Sequence, residues 1–401
     1  MNNISDYFQG IGAKRLSEVE INPEKSNQHE FGSNKFRSLL GSERTSFNVK
    51  IIYLNDDPET TLIEEGKFSW YDSREKNPFR SPEYRLYYRA NSIVTEAEAG
   101  DLMIIGKKNE SELMIIIAEQ NSTSEKQMMW LFGLQEVGRK YIVKEFKEKK
   151  GSLNFAGKFI IETLGIEVKD EAPDYLEELL NKYKDGFPGT AVFSKYARST
   201  LENKVSAVEE PDKTLITWLE REELLFRTLE KHFVSQRLAS GFGDDGRDVD
   251  EFVSYSLSVH NRRKSRAGHS FENHLAAVFN ENKIAYSKGK KTERNNKPDF
   301  LFPGFEQYKD SSFESGLLTM LGVKTTAKDR WRQVLSEADR IPHKHLITLQ
   351  PAISENQTDE MREKNLQLII PEPVMNTYSE AQCENLINLS QFIGLVRNRQ
   401  V

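Results

Sequence analysis

An aspartate and a lysine in the C-terminal half of the chain have a spacing that suits phosphodiester hydrolysis. Asp299 opens one short apolar run, and Lys324 ends another run 25 residues later. If these runs form neighbouring strands, the carboxylate and the amine meet at adjacent strand ends. The carboxylate can hold a divalent cation, while the lysine orients or deprotonates the attacking water and offsets charge on the phosphate. The alternative for this pair is ordinary surface charge at two strand ends.

The residue types around this pair favour Mg²⁺ as the metal. Oxygen ligands without clustered cysteine or histidine are typical of magnesium rather than zinc, and Cys383 is the single cysteine of the chain. A nuclease core of the PD-(D/E)xK kind would carry a carboxylate two residues before the lysine, where this chain has Gly322. Glu337, 13 residues after the lysine on the next predicted helix, can supply it, and Glu272 on a separate predicted helix offers a further carboxylate. Either glutamate taken alone could be an exposed helix charge.

The elements that must position these residues follow from hydrophobic periodicity after residue 212. Apolar residues at i, i+3, i+4 and i+7 across 331–341 predict a helix with Glu337 on another face. A strand ending at Lys324, this helix and a strand over 345–349 form a crossover unit, which implies parallel pairing and an α/β fold. The other predicted elements are helices over 215–233, 269–279 and 378–392, and strands over 300–302, 317–324 and 366–370.

The N-terminal third has the pattern of a β-rich domain. Residues 47–53 alternate as in a half-buried strand, and the apolar runs 102–105 and 113–117 flank a polar turn, which predicts a long hairpin. Short strands with polar turns indicate a small barrel or sandwich. The acidic, proline- and glycine-containing segment 171–211 is predicted to be a linker. We therefore expect domains over 1–170 and 212–401.

Charge is distributed unevenly along the chain. The 401 residues carry a net charge of −6, yet ten basic and four acidic residues lie between 258 and 300. Such a basic stretch on an acidic protein indicates a polyanion site, with a solvated surface loop as the alternative. The balance of 37% hydrophobic and 29% charged residues is that of a globular protein. Without a visible signal peptide, a membrane-length apolar run or a cysteine pair, we expect a reducing cytoplasm.

Longer segments resemble the EcoRII group of type II restriction endonucleases, in order and with similar spacing across about residues 212–375. They are SVHNRRKSRAG (258–268), KPDFLFP (297–303), VKTTAKDRWRQ (323–333), EAD (337–339), HLITLQ (345–350) and EMRE (360–363). The resemblance implies a restriction-endonuclease-like α/β domain of the PD-(D/E)xK class, in which the carboxylate is relocated to the helix after the lysine strand. It then implies Asp299 and Glu337 as Mg²⁺ ligands, Lys324 as the catalytic lysine and Glu272 as a supporting acid.

The same resemblance implies how DNA would be bound. Lys328, Asp329 and Arg330 would read bases of a CCWGG-like site, since lysine or arginine can pair with guanine and aspartate with cytosine. The cluster of Arg262, Arg263, Lys264 and Arg266 would contact phosphates, which position the protein but do not specify sequence. Members of the group also flip bases onto their first helix. Trp218, Arg221 and Phe226 are candidates for that contact, although we favour a core role for Trp218 and Phe226.

The N-terminal domain resembles, more faintly, the family's effector domain, a B3-like pseudobarrel that binds DNA. The residues that carry this resemblance are Lys14, His29, Arg74, Arg80, Glu83 and Arg85. Surface charge is an equally good reading of them. If the resemblance holds, a second copy of the DNA site binds there and relieves autoinhibition by the N-terminal domain lying over the Asp299 cleft.

The sequence therefore predicts a homodimeric, Mg²⁺-dependent hydrolase that cuts double-stranded DNA at a specific site. A dimer is expected because a two-fold symmetric DNA site matches a two-fold symmetric protein, and a companion DNA methyltransferase would protect the same site. One alternative is a repair or recombination nuclease on the same core, which would lack base readers. The other is a DNA-binding regulator that kept the fold without catalysis.

Overall fold

A computed structural model gives the fold of the chain as two compact units. It describes residues 3–22, 29–57, 61–77, 79–89, 91–146, 153–168, 175–184, 186–327 and 330–400. One unit comprises Met1–Lys169 with Pro351–Asn356, and the other comprises Asp170–Gln350 with Gln357–Val401. Among the described residues, no helix combines the length and apolarity needed to cross a lipid bilayer.

The N-terminal unit is built on an eight-stranded sheet with the order β2-β5-β4-β3-β7-β6-β1-β8. The central strand β3 pairs antiparallel with β4 and parallel with β7. The β-rich prediction is thus confirmed, including the hairpin of β6 and β7. The strands are β1 Gly10–Arg15, β2 Glu30–Gly32, β3 Thr45–Leu54, β4 Leu62–Asp72, β5 Tyr84–Tyr87, β6 Leu102–Lys107, β7 Glu112–Ala118 and β8 Ile142–Glu145.

Two apolar clusters use alternate residues of these central strands. Ile51 and Ile105 belong to one cluster, whereas their neighbours Ile52 and Ile104 belong to the other. Both faces of the sheet are therefore covered, which explains why β6 and β7 are continuous apolar runs rather than alternating ones. The helices of this unit are α1 Glu18–Ile21, α2 Arg37–Leu40, α3 Ser92–Glu96, α4 Thr123–Leu131 and α5 Phe155–Thr163.

The C-terminal unit is an α/β domain around a five-stranded mixed sheet with the order β13-β12-β11-β10-β9. Pairing is antiparallel from β9 to β11 and parallel from β11 to β13, so the predicted crossover unit is confirmed. The strands are β9 Ser287–Lys288, β10 Phe300–Phe302, β11 Thr319–Lys324, β12 Lys344–Thr348 and β13 Leu366–Ile369.

Helices surround this sheet, and two of them are long. The helices are α6 Leu176–Lys182, α7 Thr190–Ser199, α8 Pro211–Ser240, α9 Val249–Glu281, α10 Phe305–Lys309, α11 Trp331–Val334, α12 Glu355–Glu363, α13 Glu372–Met375, α14 Glu380–Cys383 and α15 Leu389–Arg399. The helix predicted to begin after Gly268 starts about 20 residues earlier, at Val249, where the side chain of Asp248 accepts a capping hydrogen bond from the Glu251 N–H.

Two helix predictions need correction. The helix predicted over 331–341 ends at Val334, and Ala338 has a left-handed φ of 51° that no α-helix contains. The helix predicted over 378–392 is two helices, α14 and α15. Between them, Ile387 pairs with the end of β13, and the Ile387 carbonyl accepts a hydrogen bond from the Ile370 N–H. Most of the periodic apolar residues are buried although the helix is interrupted, and Leu335 is partly exposed.

The predicted linker over 171–211 is wrong for its described residues. Leu179 of α6 and Phe193 of α7 pack with Leu225, Phe226 and Leu229 of α8 in one apolar cluster. The glycines and prolines of this segment mark turns between packed helices rather than an interdomain connection. The C-terminal unit accordingly begins near residue 170, not at 212.

Candidate active site

The structure brings Asp299 and Lys324 together as the sequence predicts. Asp299 directly precedes β10, Lys324 is the last residue of β11, and these strands pair antiparallel. The Lys324 Nζ lies 3.2 Å from Asp299 Oδ2, and the Val323 N–H donates to the same oxygen at 2.6 Å. A backbone donor and an ammonium thus fix one carboxylate oxygen at the end of the sheet.

Packing explains why the carboxylate expected two residues before Lys324 is absent. A Cβ atom at Gly322 would lie 2.8 Å from Cγ2 and 3.1 Å from Cγ1 of Val334, which is fully buried on α11. Any side chain at position 322 would collide with that helix. The close approach of α11 to β11 therefore occupies the space that a carboxylate would need.

Glu337 supplies a second carboxylate three residues after the end of α11. Its side chain is buried, and its Oε2 has no hydrogen-bond partner among the described residues. Burial, followed by the nearby charge of Asp299, raises the pKa of Glu337 to about 7, while Lys324 and Lys344 act in the opposite direction. Glu337 therefore lies in the electrostatic field of the Asp299–Lys324 pair, but in a turn rather than on the predicted helix.

These side chains fit a magnesium ion. An unpartnered buried carboxylate oxygen beside a second carboxylate is a costly arrangement that a hard cation would relieve. Within the described part of the chain, no three histidine, cysteine, aspartate or glutamate side chains form a ready metal cluster. Two protein carboxylates nevertheless suit Mg²⁺, since it usually keeps several waters and binds substrate phosphate.

Glu272 lies near the site but forms its ion pair with another residue. It is on α9, and its Oε2 is 3.1 Å from Lys288 Nζ on β9. The strand β9 pairs with β10, with Lys288 opposite Phe300, the residue after Asp299. Glu272 is thus linked through Lys288 to the strand that follows Asp299, which is compatible with a supporting acid.

Of the predicted base readers, Arg330 can be placed. It is exposed and precedes the first residue of α11, six residues after Lys324. Lys328 and Asp329 lie outside the described residues. Arg330 therefore extends from the segment that joins the lysine strand to the helix packed on it.

The predicted phosphate-contacting cluster on α9 is divided by the structure. Lys264 is exposed, whereas Arg263 forms an ion pair of 2.7 Å with the buried Glu230. The guanidinium of Arg262 lies 4.7 Å from the ring centre of Phe187. Lys264 is thus the member whose charge is most available to DNA.

Arg266 is not available to DNA, and its predicted role requires correction. It is 9% exposed, and its guanidinium lies 5.2–5.4 Å from the ring centres of Phe187, Phe193 and Phe226. It also donates to the carbonyl of Pro188. Arg266 therefore stabilises the packing of α7, α8 and α9.

Two of the three candidates for base stacking on α8 are buried, and the third, Arg221, is partly exposed. Trp218 and Phe226 are buried, which confirms the core role that the sequence analysis favours for them. Arg221 donates to the Tyr175 hydroxyl and lies over its ring. None of the three is presented to solvent as a free stacking surface.

In the N-terminal unit, the structure groups three of the six predicted DNA contacts. Glu83 forms ion pairs with Arg74 and with Arg85, at 2.8 Å for the latter, and Arg85 also pairs with Glu30. Arg80 is exposed on the same β4–β5 connection.

The remaining two N-terminal candidates are less suited to DNA contact. Lys14 is buried and forms an ion pair of 2.6 Å with Glu20, so its ammonium is not presented to DNA. His29 is partly exposed, with its ring 5.7 Å from that of Tyr88. The prediction for Lys14 therefore needs correction.

Sequence reasoning missed Lys344, the first residue of β12. It is buried, and its Nζ donates to the carbonyl oxygens of Glu337 and Ala338, the latter at 2.7 Å. A lysine before an apolar strand is typical of a solvated strand end, so the sequence carries no signal for this role.

Comparison with known proteins finds relatives of the C-terminal half. Residues 226–393 match the family model described as EcoRII C terminal. The chain is 42% identical over 209 residues to the type II restriction enzyme EcoRII of Escherichia coli, covering 52% of this chain and 50% of EcoRII. It thus spans about half the length of that relative. The resemblance to the EcoRII group is confirmed for this half, and Glu272, Asp299, Lys324 and Glu337 all lie inside the matched segment.

Solved structures give weaker likenesses. Metal-depleted Ecl18kI in complex with uncleaved, modified DNA has a TM-score of 0.46 at 19% identity, covering 56% of this chain and 82% of that one. A PspGI–substrate DNA complex has a TM-score of 0.43 at 13% identity, covering 58% and 98%.

Proposed function

We propose that this protein, whose residues 226–393 match the EcoRII C-terminal family model, is a sequence-specific type II restriction endonuclease that hydrolyses phosphodiester bonds of double-stranded DNA. One observation carries the proposal. The buried, unpartnered Glu337 oxygen lies beside the Asp299–Lys324 pair, inside the matched segment. A repair nuclease or a non-catalytic regulator on the same core remains the alternative that the experiments below distinguish.

In this proposal, Asp299 and Glu337 hold Mg²⁺. When bound, the ion would polarise the scissile phosphate and acidify a water molecule. Asp299 is held ready by the Val323 N–H and by Lys324, each of which contacts its Oδ2. Lys324 can at the same time orient the attacking water and offset the negative charge that develops on the phosphate. Glu272 supports the site from α9.

Sequence specificity is assigned to the segment after the lysine strand. Lys328, Asp329 and Arg330 read a CCWGG-like site, and Arg330 has the exposure that a base-reading side chain requires. Lys264, with Arg262 and Arg263, contacts phosphates. The active species is a homodimer, because each half of a symmetric site presents one scissile phosphate.

We further propose that the N-terminal unit is a B3-like effector domain. Arg74, Arg80, Glu83 and Arg85 would contact a second copy of the site, and this contact would relieve autoinhibition. The ion pairs of Glu83 hold Arg74 of the β4–β5 connection and Arg85 of β5 beside one carboxylate, which supports a shared binding surface. The protein would act in the cytoplasm together with a methyltransferase of the same specificity.

Plasmids with none, one or several CCWGG sites test this function directly. We expect discrete fragments only with Mg²⁺, only from plasmids with sites, and poor cutting of the one-site plasmid. Lys324→Ala should abolish cutting, while Lys213→Ala, which alters an exposed lysine of α8, should not. Tight DNA binding without any cutting would overturn the catalytic proposal and leave the regulator. Cutting at another fixed sequence would overturn only the CCWGG assignment.

A further inference from the structure

The turn that carries Glu337 has an unfavourable backbone. After α11 ends at Val334, the chain passes Glu337 and enters the left-handed region at Ala338, with φ of 51°. A residue with a Cβ atom rarely adopts this conformation without support from its surroundings. Something other than helix geometry must therefore hold Glu337 in place.

Lys344 provides a direct connection between this turn and the sheet. It is 6% exposed, and its Nζ donates to the backbone carbonyls of Glu337 and Ala338. Lys344 begins β12, which pairs in parallel with β11 on one side and β13 on the other. The side chain thus anchors the two carbonyls of the turn to an internal strand.

Burial of Lys344 and the carboxylates around it act on its pKa in opposite directions, and burial has the larger effect. Burial lowers the pKa of this ammonium, but the carboxylates of Asp339, Glu337 and Glu293 act against that effect. The Lys344 ammonium donates to both carbonyls at once, whereas the thioether of a methionine at this position has no hydrogen to donate.

We propose that Lys344 is a positioning residue that holds the Glu337 carboxylate in its metal-binding orientation through the backbone of the 337–338 turn. The inference rests on the metal site assigned above to Asp299 and Glu337. Lys344 touches neither DNA nor the metal in this proposal. Residues that hydrogen-bond to a metal ligand restrict the orientations of that ligand, and Lys344 does the same for the Glu337 side chain through the backbone.

The turn has other supports, so it should survive the loss of Lys344. The Asn296 side chain donates to the Ser336 carbonyl at 2.6 Å, and Arg340 donates to the carbonyls of Asp310 and Phe313, both at 2.9 Å. The chain on both sides of Glu337 is thus tied to neighbouring segments. Replacement of Lys344 should therefore loosen the turn rather than unfold the unit.

Binding of Mn²⁺ to the metal-free protein, measured by electron paramagnetic resonance without DNA, tests this inference. We expect Lys344→Met to weaken Mn²⁺ binding by about 10- to 100-fold. Glu337→Gln and Asp299→Asn serve as ligand-loss references, and Lys213→Met as the matched lysine control. If Lys344→Met does not fold, Lys344→Gln keeps a polar group too short to reach both carbonyls and should show the same loss.

A second control separates positioning from general stability. Val396→Ala removes buried volume on α15 and should lower the unfolding temperature without changing Mn²⁺ affinity of the folded protein. A folded Lys344→Met variant with wild-type Mn²⁺ affinity, alongside a Glu337→Gln variant that has lost it, would overturn the role of Lys344 but leave the metal site. Absence of Mn²⁺ binding by the wild-type protein would overturn the metal site itself, and this inference with it.

Discussion

Gly322 of β11 packs directly against Val334 of α11, and a Cβ atom at position 322 would lie 2.8 Å from Val334 Cγ2. This contact removes the position two residues before Lys324 from use as a metal ligand. The same helix leads to Glu337, whose N–H donates to the Val334 carbonyl at 3.2 Å. The contact with Val334 therefore excludes a carboxylate at position 322, and the segment that follows Val334 carries the second carboxylate, Glu337.

Restoring an acidic residue at position 322 should consequently harm the protein. Gly322→Asp should destabilise it by at least the 1–3 kcal/mol typical of overpacking and should lower DNA cleavage. Gly322→Ala should show a smaller loss, which Val334→Ala in the same chain should partly relieve because the two side chains compete for one space. Thermal unfolding and plasmid cleavage measure both effects. A Gly322→Asp variant as stable and active as the wild type would refute this account of the packing.

Arg330 and Lys264 should affect DNA binding in different ways. Arg330→Ala should cost about 1–3 kcal/mol at the recognised sequence and relax the preference for it, because a base contact is lost. Lys264→Ala should weaken binding to all sequences alike. It should also reduce, by about one, the slope of the logarithm of DNA affinity against the logarithm of salt concentration. Fluorescence anisotropy with cognate and scrambled duplexes at several salt concentrations distinguishes the two. A uniform loss for Arg330→Ala would instead favour the repair-type nuclease.

Arg266 should behave as a core residue although its sequence neighbours are basic. Arg266→Met keeps an unbranched side chain but loses the donor to the Pro188 carbonyl and removes a buried guanidinium from the neighbourhood of Glu222 and Glu230. We expect a loss of about 2–4 kcal/mol in the free energy of unfolding. Urea denaturation of this variant against Lys264→Met, its exposed neighbour, provides the comparison. Unchanged stability with weakened DNA affinity would show that Arg266 contacts phosphate after all.

The stability of the C-terminal unit should fall in mild acid because of His345. This residue of β12 is buried against the ring of Phe392, and burial, aided by Arg399 and His343, lowers its pKa from 6.5 to about 4. Its stabilising effect is complete above the unfolded-state pKa of 6.5 and is lost as the pH falls toward 4. The loss between pH 7 and pH 5 should be roughly 2 kcal/mol.

His345→Phe isolates this contribution, since it keeps a buried ring without a titrating group. The difference in unfolding free energy between variant and wild type should shift in favour of the variant as the pH is lowered from 7 to 5. Urea denaturation followed by tryptophan fluorescence measures it. A difference that does not change with pH would mean that His345 titrates with the same pKa in the native and unfolded states, which would refute this prediction.

The amino-acid sequence by itself indicated which apolar residues are buried and which strands place Asp299 and Lys324 next to each other. Five residues were predicted to share one apolar face; Trp331, Val334, Ala338 and Ile341 are buried, and Leu335 is partly buried. Asp299 and Lys324 were predicted to meet at strand ends, and they do. Such features depend on hydrophobic periodicity and chain direction, which are local properties that a sequence displays directly.

Tertiary structure alone decided how the second carboxylate is held and which basic residues face solvent. The turn that carries Glu337 is tied to the sheet by Lys344, which donates to carbonyls six and seven residues earlier in the chain, outside any helical repeat. The burial of Arg266 depends on aromatic rings of α7, α8 and the turn before α7, which a run of basic residues does not reveal. Contacts between distant segments set both outcomes, because a buried charge is tolerated only where the assembled fold supplies its partners.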